Sequence, residues 1–389
     1  MYQYETTAKY IFDCWKNQKS IVLFGAAETG KYILELLRNQ GADIQCFCDN
    51  DLSLQGKNVN GVKVLSPADA AQQYFDALFI IASVNYRKEI QKQLIDLGID
   101  NKNIVSFLWN KGYDYYKNLE SAYYEDEIQD TYFKLFGYYL DLQNPKTFNE
   151  KLNWQKIYDT DPRKTELSDK LLVRKWVRDK IGEKYLNKLL GQWEDEKDIK
   201  FELLPQQFVL KLNHGCGWNI IVRDKDKIDI EEIRRQLNDW KKRNFAYYSL
   251  EMQYEKIKPM IICEEYLENI DGGLFDYKVF CFHGEPQYIM FLTDRNKGNL
   301  KMAFYDTDWK KQPFTYSYPQ FEGEVPRPKE LEEMLYLSRK LSEDFEQVRV
   351  DWYILPNGKI VFGEMTFTSA AGRAAWNPPA YDEILGNMI

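Results

Sequence analysis

The sequence predicts an α/β unit built on a parallel sheet, followed by an α+β unit. Three observations predict it. Between residues 20 and 107, short apolar runs alternate with helical patterns: SIVLFG, KYILELLRNQG, DIQCFCD, DALFIIAS and YRKEIQKQLIDLG. Parallel strands need crossover connections, usually helical, so this alternation implies βαβ units. From about residue 166 onward, strands and helices mix and two strands follow one another as a hairpin, which fits neither a doubly wound sheet nor a sandwich. Between these regions lies a Tyr-rich helical stretch, YYEDEIQDTYFKLFGYYL and TFNEKLNWQKIYDTDP, punctuated by Pro145 and Pro162. The expected domains are residues 1–112, a helical connector over 113–165, and residues 166–389.

In the first domain, the strand SIVLFG runs into Gly25-Ala26-Ala27-Glu28-Thr29-Gly30 and a helix, and Asp49 follows the next strand. This approximates a dinucleotide fingerprint and predicts a Rossmann-like domain. Ala27 stands where the middle glycine lets the backbone approach pyrophosphate, so tight NAD binding is not expected. The stretch CFCDNDLSLQGKNVNGVKVLSP resembles the small domains that precede sugar acyltransferases. That resemblance implies a nucleotide-sugar as the domain's ligand.

The whole chain narrows the classes further. A net charge of −8 argues against nucleic acid or an anionic membrane surface as main partner. The N-terminus, MYQYETTAKYIFDCWKNQKS, lacks the apolar core of a signal peptide, and no apolar run approaches the ~20 residues of a membrane span. Six cysteines are scattered, and Cys46-Phe-Cys48 has no second pair to complete a zinc site. With only His214 and His283, a His-rich metal centre is excluded. A reducing, cytoplasmic setting is expected.

Chemistry concentrates in the second half. "VRVDWYILPNGKIVFGEMTF", residues 348–367, reads as two strands joined by a turn. Alternation puts Arg349, Asp351 and Tyr353 on one face of the first strand, and Phe362, Glu364 and Thr366 on one face of the second. A two- or four-residue loop would oppose Asp351 to Glu364. A three-residue loop with Gly358 in a bulge would set them on opposite faces. If they meet, two charges ~4 Å apart repel by roughly 4 kcal/mol at an effective dielectric near 20, so a cation is required between them. A divalent metal bound to phosphate is one answer, and Arg349 alone is another.

Four further pieces carry charge or glycine at strand ends. VLKLNHGCGWNIIV places Lys211 at a strand end before a Gly215/Gly217 loop, an arrangement that suits phosphate but is not a Walker sequence. SDKLLVRKWV offers Lys170 near a helix start, where a cation opposes the helix dipole. ICEEYLE is an apolar strand ending in Glu264 and Glu265, and DYKVFCFHG puts Asp276 and Lys278 on one strand face. A turn is expected at Gly272-Gly273, and Arg234, Arg235 and Lys241–Arg243 read as the solvated face of a basic helix.

In this order, these pieces resemble the ATP-grasp family of ATP-dependent ligases, over roughly residues 166–372. The resemblance extends upstream through FNEKLNWQKIYDTDP to the branch of the teichuronopeptide- and capsule-biosynthesis type. It implies an α+β ATP-grasp domain, ATP and Mg²⁺ as cofactors, and an amide-forming reaction through an acyl phosphate. Residue by residue, it implies that Lys170 and Lys211 contact ATP phosphates and that the Gly215–Gly217 loop closes over them. Glu264, Glu265, Tyr266 and Leu267 would form the adenine and ribose hinge. Lys278 would lie near the γ-phosphate, and Arg349 would stabilise the oxyanion. The hairpin is similar to the metal-binding hairpin of D-alanine–D-alanine ligases, so Asp351 and Glu364 would face shared Mg²⁺ ions across an even-length loop. Thr366 departs from the pattern, standing where Asn usually binds metal. The substrates implied are a uronic acid of a cell-surface polysaccharide, or its precursor, and an amine or amino acid. A sugar kinase using the same ATP site and a non-catalytic nucleotide-sugar-binding scaffold are the alternatives.

Overall fold

The computed structural model describes residues 11, 15–16, 19–83, 86–106, 112–267, 276–293, 301–316 and 318–389. The turn expected at Gly272-Gly273 lies outside the described residues. The chain forms two compact units, Met1–Leu140 and Asp141–Ile389.

The first unit is organised by a six-stranded sheet: β1 (Ile21–Phe24), β2 (Ile44–Cys48), β3 (Asn58–Val59), β4 (Val62–Leu65), β5 (Leu78–Ile81) and β6 (Ile104–Ser106), in the order β3-β4-β2-β1-β5-β6. All neighbours pair in parallel except the β3–β4 edge hairpin, so the sheet is mixed. IVLF and LFII are apolar at every position because both faces are covered. Ile21 and Leu23 pack into one core with helix Glu28–Asn39, and Val22 and Phe24 into another with Phe79 and Ile81. Gly30 is required here, since a Cβ would lie 1.9 Å from the Gly25 carbonyl oxygen. The Asp49 carboxylate accepts the backbone N–H groups of Ala26 (2.8 Å) and Asp51 (2.9 Å), which ties the glycine loop to the end of β2.

The expected connector is divided between the units. Helices Tyr113–Lys117 and Tyr124–Phe136 belong to the first, and Phe148–Tyr158 and Pro162–Ser168 to the second. A capping box, Thr147 with Glu150, starts helix Phe148–Tyr158. The helix expected to start near Lys170 in SDKLLVRKWV instead begins at Val173 and runs to Ile181, so Lys170 sits in the turn between two helices.

Two antiparallel sheets follow. The smaller has the order β7-β10-β8-β9, from β7 (Leu189–Trp193), β8 (Phe208–Leu212), β9 (Asn219–Val222) and β10 (Ile261–Glu265). Phe208, Leu210, Leu212, Ile261 and Cys263 bury one face with Ile233 and Leu237 of helix Ile230–Lys241, which sends Lys211 and Glu264 to the other. Remaining strands are β11 (Asp276–Phe282), β12 (Glu285–Thr293), β13 (Lys301–Asp306), β14 (Thr315–Tyr316), β15 (Gln347–Ile354), β16 (Ile360–Thr366) and β17 (Trp376–Asn377). The larger sheet has the order β13-β12-β11-β15-β16, and β14 pairs with β17. One face of the larger sheet packs on helices Val173–Ile181 and Leu331–Ser342 through Val279, Val350, Trp352 and Phe362. Its other face is split. Phe280, Met290 and Phe304 cover one part with Phe148 and Trp376, whereas Lys278, Arg349, Asp351, Glu364 and Thr366 occupy the part toward β16.

The β15–β16 hairpin corrects one expectation and keeps another. The expected even-length loop is absent. Leu355 donates to the Lys359 carbonyl at 2.9 Å, leaving the three-residue loop Pro356–Gly358 with Gly358 left-handed at φ +77°. Asp351 is nevertheless opposite Glu364, because the register shifts between Asp351 and Trp352. Trp352 pairs with Phe362, so Gly363 is the extra residue of a bulge and reverses the alternation. Phe362 therefore points into the helix-covered core, not to the face of Glu364 and Thr366 as alternation alone predicts. A Cβ on Gly363 would lie 3.0 Å from the Asp351 carbonyl oxygen. Gly363→Ala is expected to lower stability by about 1–3 kcal/mol through this overpacking. Urea unfolding measures it, and an unchanged midpoint would show that the bulge accommodates a side chain.

Candidate functional site

Five of the singled-out residues converge on the larger sheet. Asp351, 4% exposed, receives Arg349 Nε on Oδ1 at 2.7 Å and Arg349 Nη2 on Oδ2 at 2.8 Å. Lys278, directly across from Asp351 on β11, donates its ammonium to the same Oδ2. The Arg349 Nη2 group also reaches Thr366 Oγ1 at 3.0 Å and Glu364 Oε1 at 3.4 Å, and Thr366 Oγ1 donates to Glu364 Oε1 at 3.1 Å. Burial pushes the Asp351 pKa up, but Arg349 and Lys278 outweigh it and hold the carboxyl below its usual range. Glu364 differs in one respect. Its side chain is 36% exposed, so it is the carboxylate open to an incoming group.

A second cluster lies on the smaller sheet. Lys211 and Glu264 meet diagonally across β8 and β10, with Lys211 Nζ 2.7 Å from Glu264 Oε2. Arg174 reaches Glu264 Oε1 at 3.0 Å and the Asn187 carbonyl at 2.6 Å. Burial raises the Glu264 pKa, yet Lys211, Arg174 and Lys170 together hold it below its usual value. Arg174 was missed on the sequence, although it stands four positions after Lys170, a spacing that would share one face in the helix expected there, and that was the available signal.

Lys170 contacts the glycine loop. Its ammonium donates to the Gly215 carbonyl at 2.5 Å and so pins the base of the β8–β9 loop. In that loop Gly217 is left-handed at φ +75°, and a Cβ on Gly215 would lie 2.5 Å from the Trp218 ring. Loss of hydration raises the pKa of the intervening Cys216 thiol; Glu364 and Glu251 raise it further, while Lys170 and Arg349 oppose them. The glycine loop thus lies within the field of both the charged hairpin and Lys170. At the end of β10, Glu265 is exposed, and its N–H and carbonyl are taken by Lys188 and Asn187. Tyr266 and Leu267 are half-buried at the strand end, and Arg223 reaches the Tyr266 hydroxyl at 3.3 Å.

Residues 150–389 match the family described as TupA-like ATPgrasp. The chain belongs to this TupA-like ATP-grasp family. ATP-grasp proteins are ATP-dependent ligases, so the two charged clusters belong to a ligase domain that uses ATP. Residues 17–105 match a separate family described as C2185-like, N-terminal. No curated protein matches the sequence. Similar solved structures include an N5-carboxyaminoimidazole synthase from Aspergillus clavatus in complex with ADP and its ribonucleotide. It is 12% identical with a TM-score of 0.31, covering 90% of this chain and 69% of that one. The Staphylococcus aureus N5-carboxyaminoimidazole synthetase complexed with ADP is 13% identical, with a TM-score of 0.31 and coverages of 90% and 70%. The ATP-grasp ligase PsnB, with Mg, ADP and a precursor variant, is 12% identical, with a TM-score of 0.33 and coverages of 95% and 97%. Membership of the family rests on the match to residues 150–389. No helix among the described residues is long and apolar enough to cross a membrane.

Proposed function

We propose that the chain is a carboxylate–amine ligase that forms an amide through an acyl phosphate. The observation that carries this reading is the pairing of Asp351 with Glu364 beside Arg349 and Lys278, inside the family-matched region. In the first step a substrate carboxylate oxygen attacks the γ-phosphorus of ATP; the bridging P–O bond breaks and ADP leaves. Lys211 and Lys170 bind the phosphates, and the Gly215–Gly217 loop covers them. Glu264, Glu265, Tyr266 and Leu267 hold the base and ribose. In the second step the amine nitrogen attacks the acyl carbon, Arg349 stabilises the oxyanion, the C–O bond to phosphate breaks, and the amine loses a proton.

Asp351, Glu364 and Thr366 form an all-oxygen donor set, which suits Mg²⁺, and the exposure of Glu364 leaves a side open to phosphate oxygens. When bound, Mg²⁺ supplies Lewis-acid neutralisation of the phosphate charge. The acid we favour is a uronic acid of a cell-surface polysaccharide or its precursor, and the amine an amino acid or small amine. The resemblance of FNEKLNWQKIYDTDP to the capsule-type branch supports this choice. The first unit would bring the sugar as a nucleotide-sugar, and the chemistry would take place in the cytoplasm.

The test is phosphate release from ATP with a panel of uronic acids and amines, with products identified by mass spectrometry. Phosphate and an amide product should appear only when both substrates are present. Phosphate retained on a sugar, with no need for an amine, would favour the kinase and sink the ligase reading. In the same assay Lys211→Met keeps the stem's packing and removes the charge, so ATP affinity or turnover should fall at least about tenfold, ~1.4 kcal/mol. Wild-type constants for that variant would reduce Lys211 to a partner of Glu264.

A further inference from the structure

We propose that Lys278 is an exchangeable counter-cation: it holds Asp351 in the nucleotide-free protein and gives the carboxylate up to a divalent cation only when phosphate oxygens arrive to receive its ammonium. The proposal rests on the ligase reading for the identity of the arriving anion. Its basis is the charge count on the larger sheet. Within the hydrogen-bonded group, Asp351 and Glu364 supply two negative charges, and Arg349 and Lys278 two positive ones, so these four side chains balance without a metal; buried Asp276 lies two residues from Lys278 on the same strand. Asp351 Oδ1 carries Arg349 Nε, and Oδ2 carries both Arg349 Nη2 and Lys278. A divalent ion arriving alone would meet a carboxylate already hydrogen-bonded at both oxygens, and would add two uncompensated charges where Asp351 is almost fully buried.

Arg349 is held by Asp351, Glu364 and Thr366, whereas Lys278 donates, among the described residues, to Asp351 alone. Lys278 is therefore the cation that can leave with the smaller loss. Its flexible stem lets the ammonium follow an anion without moving β11. Among the described residues, no three His, Cys, Asp or Glu side chains group to hold a metal. Asp351, Glu364 and Thr366 offer fewer oxygens than the roughly six that Mg²⁺ takes, so oxygens the nucleotide brings would complete the site. The consequence is an order: the cation is captured with the nucleotide, not before it.

Mn²⁺ is a suitable probe, titrated into the full chain by calorimetry or electron paramagnetic resonance, with and without ADP. Wild-type protein should bind free Mn²⁺ weakly and at least tenfold more tightly with ADP. Lys278→Met should bind free Mn²⁺ without ADP at least tenfold more tightly than wild type, and adding Glu364→Gln should remove that gain. Lys278→Arg, which keeps the charge, should stay within threefold of wild type. Equal affinity with and without ADP in the wild type overturns the proposal without any substitution. So does a Lys278→Met protein that binds free Mn²⁺ no better than wild type. Neither acid nor amine is present in these titrations. A chain that passes them yet releases no phosphate with any acid–amine pair keeps the exchange and loses the ligase reading.

Discussion

Glu364→Gln is expected to cut turnover by about 100-fold or more while leaving the protein folded. The carboxylate is the one in the cluster that faces solvent, so its charge is available to a metal–phosphate group and contributes little to the resting structure. Its contacts are a 3.4 Å approach to Arg349 and a hydrogen bond from Thr366, and glutamine retains an oxygen for both. With that exposure, solvent screening limits the stability change to about 1 kcal/mol or less. On the proposed ligase reading the chemical loss is larger, because a preorganised charge next to the transferring phosphoryl group would act mainly in the transition state. Steady-state phosphate release and thermal unfolding, read on the same preparation, separate the two effects. Near-normal turnover in Glu364→Gln would remove the hairpin from the chemistry.

Asp351→Asn should fail differently, losing both activity and stability. Asp351 lies buried between Arg349 and Lys278, and removing its charge leaves two cations with only Glu364 to offset them. Breaking a buried ion pair from one side typically costs about 3–5 kcal/mol. The native carboxyl is held below its unfolded value. Its contribution is therefore fully present above the unfolded carboxylate pKa and is lost as pH falls through the depressed native one. The variant should accordingly lose part of the wild type's acid-induced destabilisation. Urea titrations at neutral and acidic pH measure both quantities. A variant as stable as wild type at neutral pH would mean that Lys278 and Arg349 find other partners.

The contrast between these carboxylates was only half legible in the sequence. Alternation in QVRVDWYI put Arg349 and Asp351 on one face, and the strand bears this out because Val348, Val350 and Trp352 fill the core opposite. The pairing with Glu364 was anticipated, but through an even loop that the chain does not form. Gly363 was the available sign, since glycine inside a strand often marks a bulge, but a bulge and an unbroken strand read alike until the partner register is known. Lys170 illustrates a second limit. SDKLLVRKWV reads as a helix that already includes Lys170, and only the Asp169 carboxylate, bonded to the N–H groups of Leu171 and Leu172 and to Asn213, shows why residues 169–172 form a turn instead. The apolar runs IVLF and LFII were easier, because a strand covered on both faces leaves no alternation to misjudge.

The hairpin's two irregularities cancel, and this gives the segment an arithmetic of its own. An odd loop displaces the second strand's facing by one residue, and the extra residue at Gly363 displaces it back. Neither change is tolerable by itself, because either alone turns Glu364 into the helix-packed core and an apolar neighbour toward the charges. Loop length and bulge must therefore be inherited as a pair, although the four residues Lys359 to Phe362 separate them. Deleting one residue from Pro356–Gly358 should be harmless only if one residue near Gly363 is deleted with it. Homologous hairpins would then fall into two parity classes, odd loops that keep the glycine and even loops that have lost it.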